Sequence, residues 1–144
     1  MTDYLLDTNI VSDVTKLAPS QRLVDWLAVQ DDQRLFIASL TLGEVGRGIL
    51  ALPTGRKRKA LEAWFLGAEG PAALFAGRIL SFDSRAALEW AELMAEGDRK
   101  GRPRSAIDMM IAAVARANDC VVVTGNARDF AGVEVFDPLI ESYG

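Results

Sequence analysis

The chain has 144 residues, of which 50% are hydrophobic and 25% charged, the composition of a single globular domain with a sizeable core. It carries 20 acidic against 16 Lys and Arg side chains, and this net charge of −4 argues against a protein that coats nucleic acid through its overall field. The chain has no histidine and one cysteine, Cys120, which excludes histidine-based catalysis, His or thiolate metal sites and an internal disulfide. Any chemistry must therefore come from carboxylates, hydroxyls, amides and basic side chains.

Neither a secretion signal nor a membrane span is visible in the sequence. The N-terminus lacks a basic segment followed by an apolar stretch and a small-residue cleavage site. No apolar run approaches the roughly 18 to 20 residues that would cross a bilayer. We therefore expect a soluble, cytoplasmic protein.

The first half of the chain alternates short apolar runs with stretches of helical periodicity. The predicted elements are a strand at 4–6, helices at 10–16 and 21–30, a strand at 35–39, and helices at 41–52, 56–67 and, as one short turn, 72–76. Thr41 and Glu44 have the spacing of a capping box, so we expect Thr41 to be the N-cap of the helix after the second strand.

The second half continues the alternation. The predicted elements are a strand at 78–83, a helix at 84–97, a flexible basic loop at 97–103, a helix at 109–117 led by the capping pattern 105–108, a strand at 120–124, a polar loop at 125–130, a strand at 133–136 and a helical turn at 139–143. Asp83 is interpreted as the N-cap of the helix at 84–97, with Leu88 and Ala91 on its apolar face. The alternation implies a single α/β domain, 1–144, with a parallel sheet, right-handed crossovers and helices on both faces.

Four positions with acidic or amide side chains lie just after a strand or in the first turn of the following helix. They are Asp7, Glu44, Asp108 and, in the loop after the fourth strand, Asn126 with Asp129. Taken singly, Glu44 and Asp108 are equally well explained as helix-capping acids, because helix N-termini attract negative charge. Taken together, these side chains are expected to meet, because the carboxyl ends of parallel strands lie at one edge of a sheet.

Carboxylates that meet in this way repel one another unless a cation lies among them. Oxygen ligands without histidine or thiolate favour Mg²⁺ or Mn²⁺. Such an ion suits phosphoryl chemistry, because it binds substrate phosphate and lowers the pKa of a bound water.

Two basic runs accompany the acids. Residues 56–59 are typical of a solvated helix face. The second run directly precedes Asp108 and is equally consistent with a solvated loop or with a mobile loop that holds a phosphate backbone. Its basic members are Arg99, Lys100, Arg102 and Arg104.

Four segments resemble the PIN-domain nucleases and, more narrowly, the VapC-type (FitB-like) toxins of bacterial type II toxin–antitoxin pairs. The segments are Leu5–Asn9, Ser39–Glu44, Ala106–Ala113 and Val123–Phe130. Any one of these segments is a weak signal, but all four segments, in this order across nearly the whole chain, form a pattern that is specific for the family. The resemblance implies a three-layer α/β/α sandwich with a central, mainly parallel sheet, and a Mg²⁺- or Mn²⁺-dependent endoribonuclease that hydrolyses RNA phosphodiester bonds.

The resemblance also implies roles for individual residues. The acids that would hold the metal are Asp7, Glu44 and Asp108, and the polar residues that would orient them are Thr8, Asn9 and Thr124. Either Asn126 or Asp129 would match the fourth acidic position, and Asp129 is favoured because position 126 is an amide. Gly125 departs from the motif, which commonly has Arg or another side chain there, and this bears on a substrate contact rather than on the metal.

The partners implied by the resemblance are a second copy of the chain and a small antitoxin protein whose helix covers the active site. DNA contact would then be indirect, through the antitoxin, and the helices of 41–66 are a plausible docking place. Two alternatives stay open from the residues alone: a non-catalytic binding module in which the acids cap helices, and a metal phosphohydrolase acting on small molecules. The second lacks an Asp-x-Asp pair, since Asn9 stands where its second acid would be.

Overall fold

A computed structural model of the chain describes residues 1–14 and 18–140. Its sheet has five strands: β1 Asp3–Leu6, β2 Leu35–Ala38, β3 Ile79–Leu80, β4 Cys120–Val123 and β5 Val135–Phe136. Their order across the sheet is β3-β2-β1-β4-β5, and each recorded pairing is parallel. The carboxyl ends of these strands therefore lie at one edge, which confirms the predicted parallel sheet.

Helices connect the strands. They are α1 Thr8–Asp13, α2 Gln21–Ala28, α3 Ser39–Leu50, α4 Arg56–Leu66, α5 Pro71–Leu74, α6 Ser84–Arg99 and α7 Ala106–Ala117, with short 3-10 turns at Asp32–Arg34 and Ala127–Asp129. The predicted helices at 10–16 and 139–143 lie partly outside the described residues. In the part of the chain that is described, no helix has the length and apolarity needed to cross a membrane.

The core lies on both faces of the sheet, because successive strand side chains point to opposite sides. Leu5 and Val122 pack into a cluster with α6 and α7, whereas their neighbours Leu6 and Val123 pack into a second cluster with α1, α2 and α3. Trp26 of α2 is 1% exposed and closes the second cluster. The predicted three-layer α/β/α arrangement is confirmed.

The start of α3 differs from the prediction. The helix begins at Ser39 with Ala38 as its N-cap, which makes no side-chain capping bond, and Thr41 is a fully buried residue inside the first turn. The prediction that Thr41 is the N-cap was therefore wrong. The Thr41 hydroxyl lies instead 3.3 Å from the hydroxyl of Thr8 in α1, a contact that a local capping pattern does not contain.

The helix α6 buries a different face from the one predicted. Leu88 is 72% exposed, whereas Ala86, Leu93 and Gly97 are buried. The buried positions recur at the helical spacing that faces α7, the helix against which α6 packs most extensively. Asp83 is the N-cap of α6, as predicted, and accepts a hydrogen bond from the backbone N–H of Ala86 at 3.0 Å.

Candidate active site

Asp7 is held by the turn that joins β1 to α1. Its backbone N–H donates to the Val123 carbonyl of β4 at 2.9 Å, and its own carbonyl accepts from the N–H of Ile10 at 3.0 Å. Its side chain caps α1, with Oδ1 accepting from the N–H of Thr8 at 2.7 Å. The end of the central strand thus fixes both the backbone and one carboxylate oxygen of Asp7.

The second oxygen of Asp7 is held by Thr124, the residue that follows β4. Oδ2 accepts a hydrogen bond from the Thr124 hydroxyl at 2.9 Å, and that hydroxyl in turn accepts from the backbone N–H of Asn126 at 3.0 Å. Asp7 is only 4% exposed, and Thr124 is fully buried. Both oxygens of the carboxylate therefore have fixed directions before any ligand binds.

Burial raises the pKa of Asp7 to about 6. The hydrogen bonds from Thr124 and Thr8 lower this pKa, whereas the negative charges of Asp108 and Glu44 raise it further. The carboxyl group therefore carries a charge that its surroundings disfavour, and a bound cation would offset that cost.

Glu44 comes from the second turn of α3 and is tied to the first strand's end through Thr8. The Thr8 hydroxyl donates to Glu44 Oε1 at 2.7 Å. Because the backbone N–H of Thr8 also binds Asp7, this one residue orients two of the predicted acids.

Asp108 lies in the first turn of α7, whose N-cap is Ser105. The Ser105 hydroxyl accepts from the backbone N–H of Asp108 at 3.3 Å, which confirms the capping pattern predicted there. Partial burial raises the pKa of Asp108, and the charges of Asp129 and Glu44 raise it further. Asp108 is therefore within electrostatic reach of acids from α3 and from the 3-10 turn after β4.

The predicted site residues line one cavity of about 260 Å³ at the carboxyl edge of the sheet. Its lining residues are Asp7, Thr8, Asn9, Glu44, Asp108, Asn126, Asp129 and Phe130. Thr124 lies behind Asp7, bonded to its carboxylate. The structure thus brings together acids that are more than 100 residues apart in the sequence.

The acids share the cavity without forming a compact cage. Within residues 1–14 and 18–140, no group of three or more acidic, histidine or cysteine side chains is placed so that it could hold a metal ion as it stands. Such spacing is compatible with Mg²⁺, which usually keeps several waters and is bound through one or two carboxylates together with substrate phosphate. The oxygen-only donors and the raised pKa values of Asp7 and Asp108 both fit such a cation.

A second cavity of about 340 Å³ adjoins the first and shares Asp108 and Asp129 with it. Its basic lining residues are Lys100, Arg102, Arg104 and Arg128. Arg99, the last residue of α6, is not among its lining residues. The structure thus places three of the four basic residues singled out in the sequence beside the acids.

Sequence reasoning did not single out Arg128. It lies in the 3-10 turn after β4, directly before Asp129, and lines the same cavity as Arg102. The available signal was its position inside the polar loop that carries Asn126 and Asp129.

Comparisons with known proteins identify the family. The sequence profile of the family described as PIN domain matches residues 4–135. The VapC ribonuclease Y4jK of Sinorhizobium fredii is 32% identical over 136 residues, which cover 93% of this chain and 96% of that relative.

Solved structures give the same result. The crystal structure of FitAcB from Neisseria gonorrhoeae superposes with a TM-score of 0.89 at 31% identity and covers 96% of this chain and 99% of that one. VapBC-5 from Mycobacterium tuberculosis, described as a member of the VapBC family of toxin–antitoxin systems, superposes with a TM-score of 0.65 at 26% identity. The match covers 94% of this chain and 97% of that one. With the family profile spanning most of its length, the chain belongs to the PIN-domain family, among the VapC-type members.

Proposed function

We propose that the chain is a Mg²⁺- or Mn²⁺-dependent endoribonuclease and the toxin of a toxin–antitoxin pair. The observation that carries the proposal is the convergence of Asp7, Glu44, Asp108 and Asp129 on one cavity at the carboxyl edge of a PIN-type sheet. The similarity to a VapC ribonuclease over nearly the whole chain supports RNA as the substrate.

In this proposal Asp7, Glu44 and Asp108 hold the metal, directly or through its bound waters, so that a compact cage of three carboxylates is not required. A bound Mg²⁺ or Mn²⁺ would supply an activated water and offset the charge that develops on the scissile phosphate. Thr8 and Thr124 keep the oxygens of Asp7 in fixed directions, and Thr8 does the same for Glu44. Such hydrogen bonds to ligating carboxylates limit the reorganisation needed when the substrate arrives.

We assign the fourth acidic position to Asp129 rather than to Asn126. Asp129 lines the same cavity, and its charge raises the pKa of Asp108, so the two carboxyl groups are close enough to act on one substrate. The amide of Asn126 can donate hydrogen bonds to RNA but cannot accept a proton from water. Asn9 and Asn126 are accordingly substrate-facing polar residues in this proposal.

The proposed partners are an antitoxin protein and a second copy of the chain. Large apolar side chains stand exposed on the helices of 41–66, with Leu50 63% and Leu66 83% exposed, and such positions suit a protein partner. The description of VapBC-5 as part of a toxin–antitoxin system supports an antitoxin. DNA contact would run through that antitoxin, since the net charge of −4 disfavours direct binding.

The test compares Asp7→Asn and Asp108→Asn with the wild type in RNA cleavage and in Mn²⁺ titration by calorimetry. Loss of several kcal/mol of transition-state stabilisation predicts a fall in cleavage of about 100-fold or more. The matched control is Asp83→Asn, because Asp83 is an exposed N-cap of α6 outside the cavity and asparagine also caps helices. Saturable Mn²⁺ binding should disappear in the two site variants and persist in the control.

Three results would contradict the proposal. Undiminished RNA cleavage by a folded, nuclease-free preparation of Asp108→Asn would remove the acids from catalysis. Hydrolysis of a phosphomonoester in preference to RNA would replace the substrate class with small phosphate esters. An absence of Mn²⁺ binding in the wild type would return these acids to helix capping and favour a non-catalytic binding module.

A further inference from the structure

The loop between α6 and α7 carries basic side chains of two different kinds. Arg104 is nearly buried, with 10% of its side chain exposed. It donates to the Leu93 carbonyl at 2.8 Å and to Glu96 at 2.9 Å. Lys100 also pairs with Glu96, at 3.3 Å. The guanidinium of Arg104 is thus directed into the protein.

The side chain of Arg104 lies close against two glycines from other segments. A Cβ atom added at Gly97 would lie 3.0 Å from its Cγ and Cδ, and one added at Gly132 would lie 3.3 Å from its Nη1. The loop is closed over it by a hydrogen bond from the Arg102 N–H to the Gly97 carbonyl at 2.9 Å. Arg104 therefore packs the loop against the end of α6 and against the Gly132 segment.

Arg102 and Arg128 are of the other kind. Both are exposed, and in the described part of the chain neither side chain makes an ion pair or a hydrogen bond. They come from separate segments, the α6–α7 loop and the turn after β4, yet they line one cavity. Two unpaired guanidinium groups on facing segments form a cleft of positive charge in an acidic protein.

The chemistry of this cleft favours phosphate. Arg102 and Arg128 stand beside Asp108 and Asp129 in the cavity wall but form no salt bridge with them. Guanidinium groups bind phosphate oxygens bidentately, and they are less strongly hydrated than ammonium groups. An RNA strand that enters an acid-lined site needs local cations, because the overall net charge of −4 repels it.

The cleft adjoins only one end of the acid-lined cavity. It shares Asp108 and Asp129 with the acid-lined cavity, whereas Asp7 and Glu44 line the acid-lined cavity alone. A strand whose scissile phosphate lies among the acids therefore passes the two arginines on one side of the cleaved bond only.

We propose that Arg102 and Arg128 form a binding site for the RNA phosphates on one side of the scissile bond, with Arg104 positioning the loop and making no contact with RNA. The inference rests on the proposed ribonuclease function and adds the residues that hold its substrate. The two arginines act in ground-state binding, so they set KM and the salt dependence rather than the chemical step.

The first test measures RNA binding in EDTA, which prevents cleavage, as a function of salt. Each phosphate contact with a single strand contributes about 0.7 to the slope of log K against log salt. The double variant Arg102→Ala/Arg128→Ala should lower that slope by about 1.4, and in cleavage assays it should raise KM roughly tenfold with kcat nearly unchanged. The control is Arg85→Ala, because Arg85 lies 3.5 Å from Asn118, at the opposite edge of the sheet.

The second test locates the contacts. An oligoribonucleotide that the wild type cleaves is prepared with one uncharged methylphosphonate at successive positions on either side of the mapped cleavage site. Where an arginine contacts the replaced phosphate, the methylphosphonate and the Arg→Ala change should weaken binding no more together than either does alone. This non-additivity is expected on one side of the cleaved bond only, and Arg85→Ala should show none.

The outcomes separate the two proposals. An unchanged salt slope and KM in the folded double variant, with RNA cleavage intact in the wild type, would overturn the phosphate site and leave the ribonuclease standing. Non-additivity on both sides of the bond would overturn the assigned direction. A wild type that neither binds nor cleaves RNA would overturn the ribonuclease proposal itself. Arg102→Gln/Arg128→Gln repeats the test with longer side chains if the alanine variant does not fold.

Discussion

The carboxyl group of Asp7 shows how one residue links the stability of this fold to its chemistry. It is 4% exposed, and its pKa is raised to about 6. An aspartate in an unfolded chain titrates near pH 3.9. Between about pH 4 and 6 the folded state therefore binds more protons than the unfolded state, and the free energy of unfolding falls as the pH rises through that window.

We expect metal-free Asp7→Asn to be more stable than the wild type at pH 7. The neutral amide avoids the cost of a buried charge, which corresponds to about 3 kcal/mol for a pKa moved from about 4 to 6, as an upper value. Asparagine can still cap α1 and meet the Thr124 hydroxyl. The advantage should shrink below pH 6 and vanish below about pH 4, where Asp7 itself is protonated.

Urea unfolding in EDTA between pH 4 and 8 measures this difference for the two proteins. Asp83→Asn is again the control, since Asp83 is an exposed N-cap. A wild type and an Asp7→Asn variant whose stabilities run parallel across the whole range would show that Asp7 does not carry the destabilising charge.

The neighbouring arginines Arg102 and Arg104 are expected to differ in their effect on stability. Arg104→Ala removes the hydrogen bond to the Leu93 carbonyl and the packing of the side-chain stem, which we expect to cost about 1–2 kcal/mol. Arg102→Ala removes an exposed side chain without a partner and should change stability by less than about 0.5 kcal/mol. Thermal melts of the two single variants give the comparison, and equal melting temperatures would show that Arg104 does not hold the loop.

At the scale of elements, the sequence predicted the sheet and its acid-bearing edge well. Apolar runs such as 120–124 mark buried strands, and a parallel sheet then brings Asp7 and Asp108 to one edge whatever the details of packing. The sequence did not predict the placement of residues that depends on a contact with a distant part of the chain. Thr41 matched a local cap but packs against Thr8, and Arg104 was indistinguishable from Arg102 until its contact with Glu96 was visible.

The hydrogen bond between α1 and α3 leads to a prediction at the scale of elements. The Thr8 hydroxyl donates to Glu44, so Thr8→Val removes the bond that orients an acid of α3 from α1 while keeping the side-chain shape. We expect Mn²⁺ affinity to fall about 10-fold, the lower end for residues that orient metal ligands. Thr8→Ser keeps the hydroxyl and is the matched control. Calorimetric titration should therefore separate the two variants, and equal loss in both would assign the effect to packing instead.

At the scale of the whole molecule, the fold concentrates negative charge at the carboxyl edge of the sheet. The acids there come from the turn after β1, from α3, from α7 and from the turn after β4. Burial raises the pKa of both Asp7 and Asp108, and repulsion from the neighbouring acids adds to the rise. This clustering of negative charge lowers the stability of the folded state, and a bound cation would offset that cost. A ligand that binds only the folded state raises stability by mass action, by about 2.7 kcal/mol at 100 times its Kd.

We therefore expect saturating Mn²⁺ to raise the melting temperature of the wild type by about 5–10 °C at pH 7, on the scaling for a domain of this size. The rise should be smaller at pH 5, because Asp7, with a pKa of about 6, must first lose its proton. The double variant Asp7→Asn/Asp108→Asn should show no rise, and NaCl at matched ionic strength should not reproduce the effect in the wild type. An equal rise in the double variant would place the bound cation elsewhere on this acidic protein, and the edge of the sheet would then be a set of helix caps.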